Sequence, residues 1–384
     1  MKIAILYPDD FSIWQFRKGM IEALISNGHD VYLLCPSGKY ISRLEAIGTT
    51  HIAVNFNRFI NPYGDLLFII ELYKIFKNNK FEIVHNLTIK PNIYGSIAAK
   101  LAKVKLILGT VEGMGSIYSR SSGLKIKLLK PIINKLYKIG LNYCHRVWFL
   151  NQDDISYFLG NKMIVKNKAI LIRSTGVNSA EYSENNINPA QVNELKKELK
   201  IQNNSKIVLM VVGRFIWSKG IKEFIESYGM LKNKITNIRF LLVGVFENES
   251  PDSIPSNYLL EKESDSFSIL NFRDDIKELI YLSDVTVLPS YYREGVPRIL
   301  LESMSLSRPI ITTNNVGCKE TVDNGKNGYL IPIKDSKSLA NSIEQLLIDP
   351  VRAKKFGKNG RMKVLNEFDE KLIVDQLLKK LYQI

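Results

Sequence analysis

Cysteine is scarce in this chain: Cys35, Cys144 and Cys318 are odd in number and far apart, which excludes a disulfide framework and a cysteine-built zinc site. No apolar run approaches the ~18 residues that a membrane-spanning helix needs. The opening MKIAILYPDDFSIWQF lacks a signal-peptide pattern: its apolar stretch is short, acidic residues follow at once, and no small-residue cleavage site appears. A cytoplasmic protein is expected. No Gly-x-Gly-x-x-Gly follows the first strand pattern, which counts against an NAD-dependent dehydrogenase. No Asp-x-Asp stands at a strand end, since Asp9-Asp10 and Asp274-Asp275 are adjacent pairs, so no metal is expected. With 45% hydrophobic and 24% charged residues the chain is not disordered, and 384 residues suit two domains.

The net charge of +15 is unevenly spread. Residues 1–180 carry 24 Lys and Arg against 11 Asp and Glu, and residues 181–384 carry 29 against 27. A basic half joined to a nearly neutral one points to an anionic partner for the first half alone. Nucleic acid, an anionic membrane face and phosphorylated substrates all qualify. The plain alternative, a Lys/Asn/Ile-rich codon bias, should raise both halves together.

Short apolar runs alternate with amphipathic stretches. KIAILY (2–7), DVYLLC (30–35), HIAVNF (51–56), EIVH (82–85), KLILGT (105–110), RVWFL (146–150) and AILI (169–172) read as strands without polar alternation. FRKGMIEALISNGH (16–29) reads as a helix stopped at Gly28. A second series, IVLMVVG (207–213), RFLLVG (239–244), FSILNF (267–272), DVTVLP (284–289) and PIITT (309–313), follows the Asn/Ser-rich stretch 175–206. Residues 335–384 read as helical, broken at Asp349-Pro350. The pattern predicts two Rossmann-like α/β domains, each with a parallel sheet, facing across a cleft. Residues 1–175 form the first, 176–205 a linker and 206–365 the second, with 366–384 a helix packing back toward the first.

The strongest chemical cluster follows the strand at 207–213. Gly213 leaves the strand and permits close approach of a ligand, and Arg214 and Lys219 share the turn before the helix IKEFIESYGML. A planar fork and a point charge suit two linked phosphates, and a helix N-terminus adds its own positive end. The alternative is a surface turn with two solvated cations. YYREGVPRILLESM (291–304) then places Glu294 and Glu302 eight residues apart, about 80° past two full helical turns, with Gly295-Val296-Pro297 opening a helix between them. One carboxylate can take sugar hydroxyls, the other can accept from a ribose, and amides after Gly295 can hold a phosphate. A capping Glu294 and a solvated or paired Glu302 are the plain alternatives.

GRFIWSKG, FLLVG, NFRDD, LPSYYREGVPRILLESM and PIITTNNVGCKETVDNGKNGYLI, in this order, resemble the family 4 retaining glycosyltransferases of GT-B fold. The likeness covers nearly the whole chain, most strongly 205–350. It implies that Arg214 and Lys219 bind the donor diphosphate and stabilise the leaving group, Glu294 contacts donor-sugar hydroxyls and Glu302 the ribose. Phe272 and Arg273 would face the uracil through the backbone, and Val296 and Pro297 would touch the sugar–phosphate. VEGMGSIYS and NNVGCKETVDNG look like the bacterial hexosaminyltransferases that extend undecaprenyl-diphosphate-linked N-acetylated sugars.

On the acceptor side, the resemblance places His85 and Lys90 of HNLTIKPNIYG. In TVEGMGSIYS (110–119) many relatives have a histidine where this chain has Glu112, a group that cannot supply positive charge. Glu112 is a candidate acceptor-side base or orienting group, with Gly113 and Gly115 shaping a ligand-facing loop. The turn PDDFSIWQFRKG (8–19) lacks the glycine-rich loop of many relatives and resembles the tighter version in those acting on lipid-linked sugars, which implies Ser12 and Trp14 near the cleft and Arg17 on the next helix, all on the acceptor side. The segment 119–146 sets Arg120, Lys125, Lys127, Lys130, Lys135 and Lys138 among leucines and isoleucines without an acid, which suits an anionic bilayer face or the solvent side of an ordinary helix.

The resemblance implies transfer of a sugar, expected to be an N-acetylhexosamine, from a UDP-sugar to a polyprenyl-diphosphate-linked saccharide with retention, without cofactor or metal. The expected setting is the inner face of the cytoplasmic membrane, held peripherally, with no nucleic-acid partner. Two competitors remain: a nucleotide-sugar epimerase of the same architecture and a nonenzymatic membrane-surface protein. The second leaves the Arg214/Lys219 and Glu294/Glu302 set unexplained.

Overall fold

In the computed structural model, every residue is described except 56–60, 115–117, 119–123 and 248–249, together with the side chains of 124–128. The chain divides into two units, the first made of 1–176 with 370–384 and the second of 177–369.

The first unit holds a seven-stranded parallel sheet in the order β3-β2-β1-β4-β5-β6-β7, with strands Lys2–Leu6 (β1), Asp30–Cys35 (β2), Thr50–Ala53 (β3), Ile83–Leu87 (β4), Leu106–Val111 (β5), Arg146–Phe149 (β6) and Ala169–Leu171 (β7). Successive side chains of a strand point to opposite faces, so a strand that is apolar throughout needs cover on both. Ile3 and Ile5 of β1 join a core with Leu108, Trp148 and the C-terminal residues Ile373, Leu377 and Leu381. Ala4 and Leu6 join the opposite core with Val84, Val147 and Phe149. The helix Asp10–Ser26 starts six residues before the expected one, because Asp9 accepts a hydrogen bond from the Ser12 amide and caps it.

The second unit holds a six-stranded parallel sheet ordered β10-β9-β8-β11-β12-β13: Lys206–Val211 (β8), Ile238–Val243 (β9), Phe267–Leu270 (β10), Val285–Leu288 (β11), Ile310–Thr313 (β12) and Gly328–Ile331 (β13). The apolar runs miss β13, a four-residue edge strand. The stretch expected as a linker belongs to this unit instead: Val177, Tyr182, Leu195, Leu199 and Ile201 lie in its core. Burying each aliphatic side chain is worth about 1.5–3 kcal/mol, which a free linker would forgo.

Both sheets reverse strand order once, between β1 and β4 and between β8 and β11. In open α/β sheets, ligands bind outside the carboxyl ends of the strands at such a point. Among the described residues no helix is long and apolar enough to cross a membrane.

Candidate active site

The second unit's switch point is flanked by the loops that leave β8 and β11, and backbone contacts bind these loops together. The amides of Tyr291 and Tyr292 both donate to the Ser218 carbonyl, at 2.8 and 2.9 Å. Gly220 has φ +83°, and a Cβ there would collide with the Pro289 carbonyl, so glycine is required where the loops cross. Asp252 accepts from the Ser218 amide and hydroxyl and fixes the first loop. Gly213 is exposed, with nothing within 4 Å of where a Cβ would stand.

On this frame Lys219 Nζ donates to Glu294 Oε1 at 2.6 Å, and Ser290 Oγ donates to the same oxygen at 2.9 Å. Lys219 also lies 5.1 Å from the centre of the Tyr292 ring. Arg214 Nη1 donates to Glu247 Oε2 at 2.9 Å. Burial acts against the Arg214 charge, but Glu247 and Tyr292 outweigh it and raise the guanidinium's pKa. The two sequence-marked cations and Glu294 are thus brought to one switch point, each cation resting on a carboxylate.

Glu302 is placed differently from expectation. Pro297 is the N-cap, and the helix runs Arg298–Ser305, so Glu302 sits one turn inside it while Glu294 stays in the loop. Arg298 Nε donates to Glu302 Oε1 at 2.9 Å, and Tyr182 bonds to the same side chain. Burial raises the Glu302 pKa against the opposing pull of Arg298. Val296 is buried, and Gly295 crosses Gly317 (φ +78°) where a Cβ would strike the Gly295 carbonyl. At the end of β10, Phe272 is exposed, whereas Arg273 is committed to Asp275 (2.7 Å) and Glu198 (2.6 Å). Those bonds, Asp275 foremost, push its pKa up.

In the first unit, Tyr7 OH donates to Glu112 Oε2 at 2.5 Å and Arg17 Nη2 pairs with Glu112 Oε1. Arg17 is buried, 5.0 Å from the centre of the Trp148 ring. Ser12 lies in the first turn of the helix Asp10–Ser26, and the Trp14 ring faces Lys18 and Arg43 at 4.9 and 5.9 Å. One expectation fails. His85 reaches no ligand surface: it is fully buried, with Nδ1 2.7 Å from the Tyr382 hydroxyl and Nε2 2.6 Å from Thr110 Oγ1. Burial, with the Arg17 charge, lowers its pKa to about 3. Lys90 Nζ donates to Asp65 Oδ1 at 2.5 Å, and Tyr94 OH donates to the other oxygen at 2.9 Å. A carboxylate buried like Asp65 needs such partners, which gives Lys90 a structural task. Gly113 adopts φ +128°, and Gly115 lies outside the described residues, as do Arg120 and the side chains of Lys125 and Lys127.

Sequence reading missed Tyr7, Tyr182, Glu247, Ser290 and Tyr292. Ser290 and Tyr292 stand inside or beside the glutamate motif and were within reach. Tyr182 was hidden in the presumed linker, and Glu247 and Tyr7 carry no spacing signal.

Comparison with known proteins agrees with this layout. The family model of group 1 glycosyl transferases matches residues 191–363, and a glycosyl transferase 4-like model matches 2–149. The chain is 33% identical, over 99% of its length and 98% of the relative's, to an N,N'-diacetylbacillosaminyl-diphospho-undecaprenol alpha-1,3-N-acetylgalactosaminyltransferase of Campylobacter jejuni. It is 30% identical, over 94% of its length and 90% of the relative's, to a UDP-Gal:alpha-D-GlcNAc-diphosphoundecaprenol alpha-1,3-galactosyltransferase of Escherichia coli. In fold it is similar to a glycosyltransferase from Rickettsia africae (TM-score 0.80, 22% identity, 98% and 97% of the two chains) and to Anabaena HepE in complex with UDP and glucose (TM-score 0.80, 18% identity, all of both chains). With the paired α/β units and the glutamate motif in place, the chain belongs to the group 1 glycosyltransferases of GT-B fold and is a glycosyltransferase.

Proposed function

We propose that the protein transfers an N-acetylhexosamine, with retention, from its UDP-sugar to a hydroxyl of a polyprenyl-diphosphate-linked saccharide. The observation that carries the donor half is the meeting of Arg214, Lys219 and Glu294 at the β8/β11 switch point. A donor diphosphate entering there takes the place of carboxylates now resting on the two cations. As the bond from anomeric carbon to phosphate oxygen lengthens, negative charge grows on the departing UDP, and Arg214 and Lys219 are already in place to meet it. Glu294, released from Lys219, accepts from donor-sugar hydroxyls. Glu302 accepts from the ribose, and the backbone at Phe272–Arg273 lies against the uracil. With two cations supplying this charge, turnover needs no divalent metal and survives chelation by EDTA.

The lipid-linked acceptor is supported by the two relatives named for undecaprenyl-diphosphate substrates and by the first unit's surface. On the helix Pro62–Asn79, Tyr63, Leu66, Leu67 and Ile70 form an exposed apolar stripe continued by exposed Lys74 and Lys77. On Leu124–Tyr143, Leu129, Ile132 and Ile139 are exposed beside Lys135 and Lys138. Apolar residues flanked by lysines suit peripheral attachment to an anionic bilayer.

The test is a panel of UDP-sugars with a short synthetic polyprenyl-diphosphate sugar, products read by mass spectrometry. Transfer of one N-acetylhexosamine is expected; release of UDP that ignores the acceptor would overturn the reading. Sedimentation with phosphatidylglycerol vesicles, lost on L66E/I70E, checks the attachment.

A further inference from the structure

Glu112, Tyr7 and Arg17 form a second organised cluster, placed like the donor cluster. Tyr7 follows β1, Glu112 follows β5, and the β1/β4 reversal lies at the same carboxyl edge of the first sheet. Both Glu112 oxygens are engaged, one by the Tyr7 hydroxyl and one by Arg17. The two donors are sealed, Arg17 at 1% and Tyr7 at 4% exposure, while the Glu112 side chain is 21% exposed. Arg17 is fixed further by the Trp148 ring, and its Nε, also buried, meets no hydrogen-bond partner among the described residues.

A buried ion pair with an orphaned N–H is a poor stabilising device, because apolar residues of similar volume often serve as well or better. Its position explains it better. Each carboxylate oxygen has lone pairs beyond the one its donor occupies, and the open side of Glu112 presents them at the edge where a ligand is expected. A group held by two sealed donors has its orientation fixed before any substrate arrives.

We propose that Glu112 is a preorganised hydrogen-bond acceptor for a substrate hydroxyl, and that Tyr7 and Arg17 are positioning residues that act through it. The proposal rests on the glycosyl-transfer reading and takes Glu112 as an orienting group, one of the two roles its sequence position offers. The ligand class is a sugar alcohol, on donor or acceptor. Arg17 touches no substrate; its charge serves to hold the carboxylate.

The experiment is a double-mutant cycle on the full chain. It compares wild type, Glu112→Gln, Tyr7→Phe and the double variant. Readouts are kcat and KM for donor and acceptor, UDP affinity by calorimetry, and thermal midpoint. We expect Glu112→Gln to lower kcat/KM by about 10²-fold and Tyr7→Phe by about 10-fold, since losing one preorganised contact costs on this scale. The double variant should match Glu112→Gln alone, because Tyr7 acts only through the carboxylate. UDP affinity should stay at the wild-type value in all four.

Wild-type kcat/KM in Glu112→Gln, or losses that multiply in the double variant, would overturn the proposal. If Glu112→Gln fails to fold, Tyr7→Phe decides: full activity in that variant overturns the proposal, and a loss at an unchanged thermal midpoint supports it. A wild-type chain that transfers no sugar overturns the glycosyl-transfer reading and the proposal together, whereas normal wild-type transfer beside fully active variants overturns the proposal alone.

Discussion

In the second unit the cations are the exposed members of their ion pairs: Arg214 is 36% exposed against 9% for Glu247, and Lys219 17% against 11% for Glu294. In the first unit the order is reversed, with Arg17 at 1% and Glu112 at 21%. One unit therefore offers positive charge at its switch point and the other offers a carboxylate. Under the proposed function, a diphosphate would meet the cations of one unit and a sugar hydroxyl the carboxylate of the other, so the same building block, an Arg or Lys against a Glu, would do opposite work according to which partner is sheltered.

The most severe way to break this comparison is to remove the offered cation. Lys219→Ala should cut kcat by about 10²-fold or more with little change in thermal midpoint, the scale expected for losing a preorganised charge contact. Turnover near the wild-type rate would remove Lys219 from the chemistry. Next is the first unit's interior, where His85 stays neutral because burial and Arg17 lower its pKa from the ordinary 6.5 to about 3. The unfolded chain binds that proton near pH 6.5 and the folded chain resists it. Stability attached to His85 is therefore whole above pH 6.5 and lost as pH falls toward 3. His85→Gln should flatten that decline, read as urea midpoints at pH 7 and pH 4.5; parallel profiles for wild type and variant would refute it. The smallest effect concerns Glu247, which under the proposed function would compete with a diphosphate for Arg214. A half-exposed ion pair such as this is worth about 1 kcal/mol, so Glu247→Gln should tighten UDP binding by up to about fivefold. Weaker binding by calorimetry would show that Glu247 orients Arg214 rather than competing for it.

Much of the fold was legible because both sheets are parallel and buried on two faces, which makes strands such as β8 and β2 nearly continuous apolar runs. Among the described residues, twelve of the thirteen strands stand where such runs predict them; β13 begins on Gly328. That Arg214, Lys219 and Glu294 meet was legible because they sit within two short segments, 213–220 and 290–302. The first unit's cluster draws Tyr7, Arg17 and Glu112 from three separate elements, and no spacing rule joins residues that only the sheet brings together. His85 misled for a related reason: a histidine at a strand end looks the same in sequence whether its ring faces a ligand or, as here, Tyr382.

The burial of 177–201 in the second core has a practical reach. A truncation that begins at the first strand of that sheet, residue 206, would strip Tyr182 from Glu302 and remove Val177, Leu195, Leu199 and Ile201 from the second unit's core. Anyone wishing to study donor recognition on an autonomous fragment should cut at Val177 and Asp369, the places where the polypeptide itself changes allegiance.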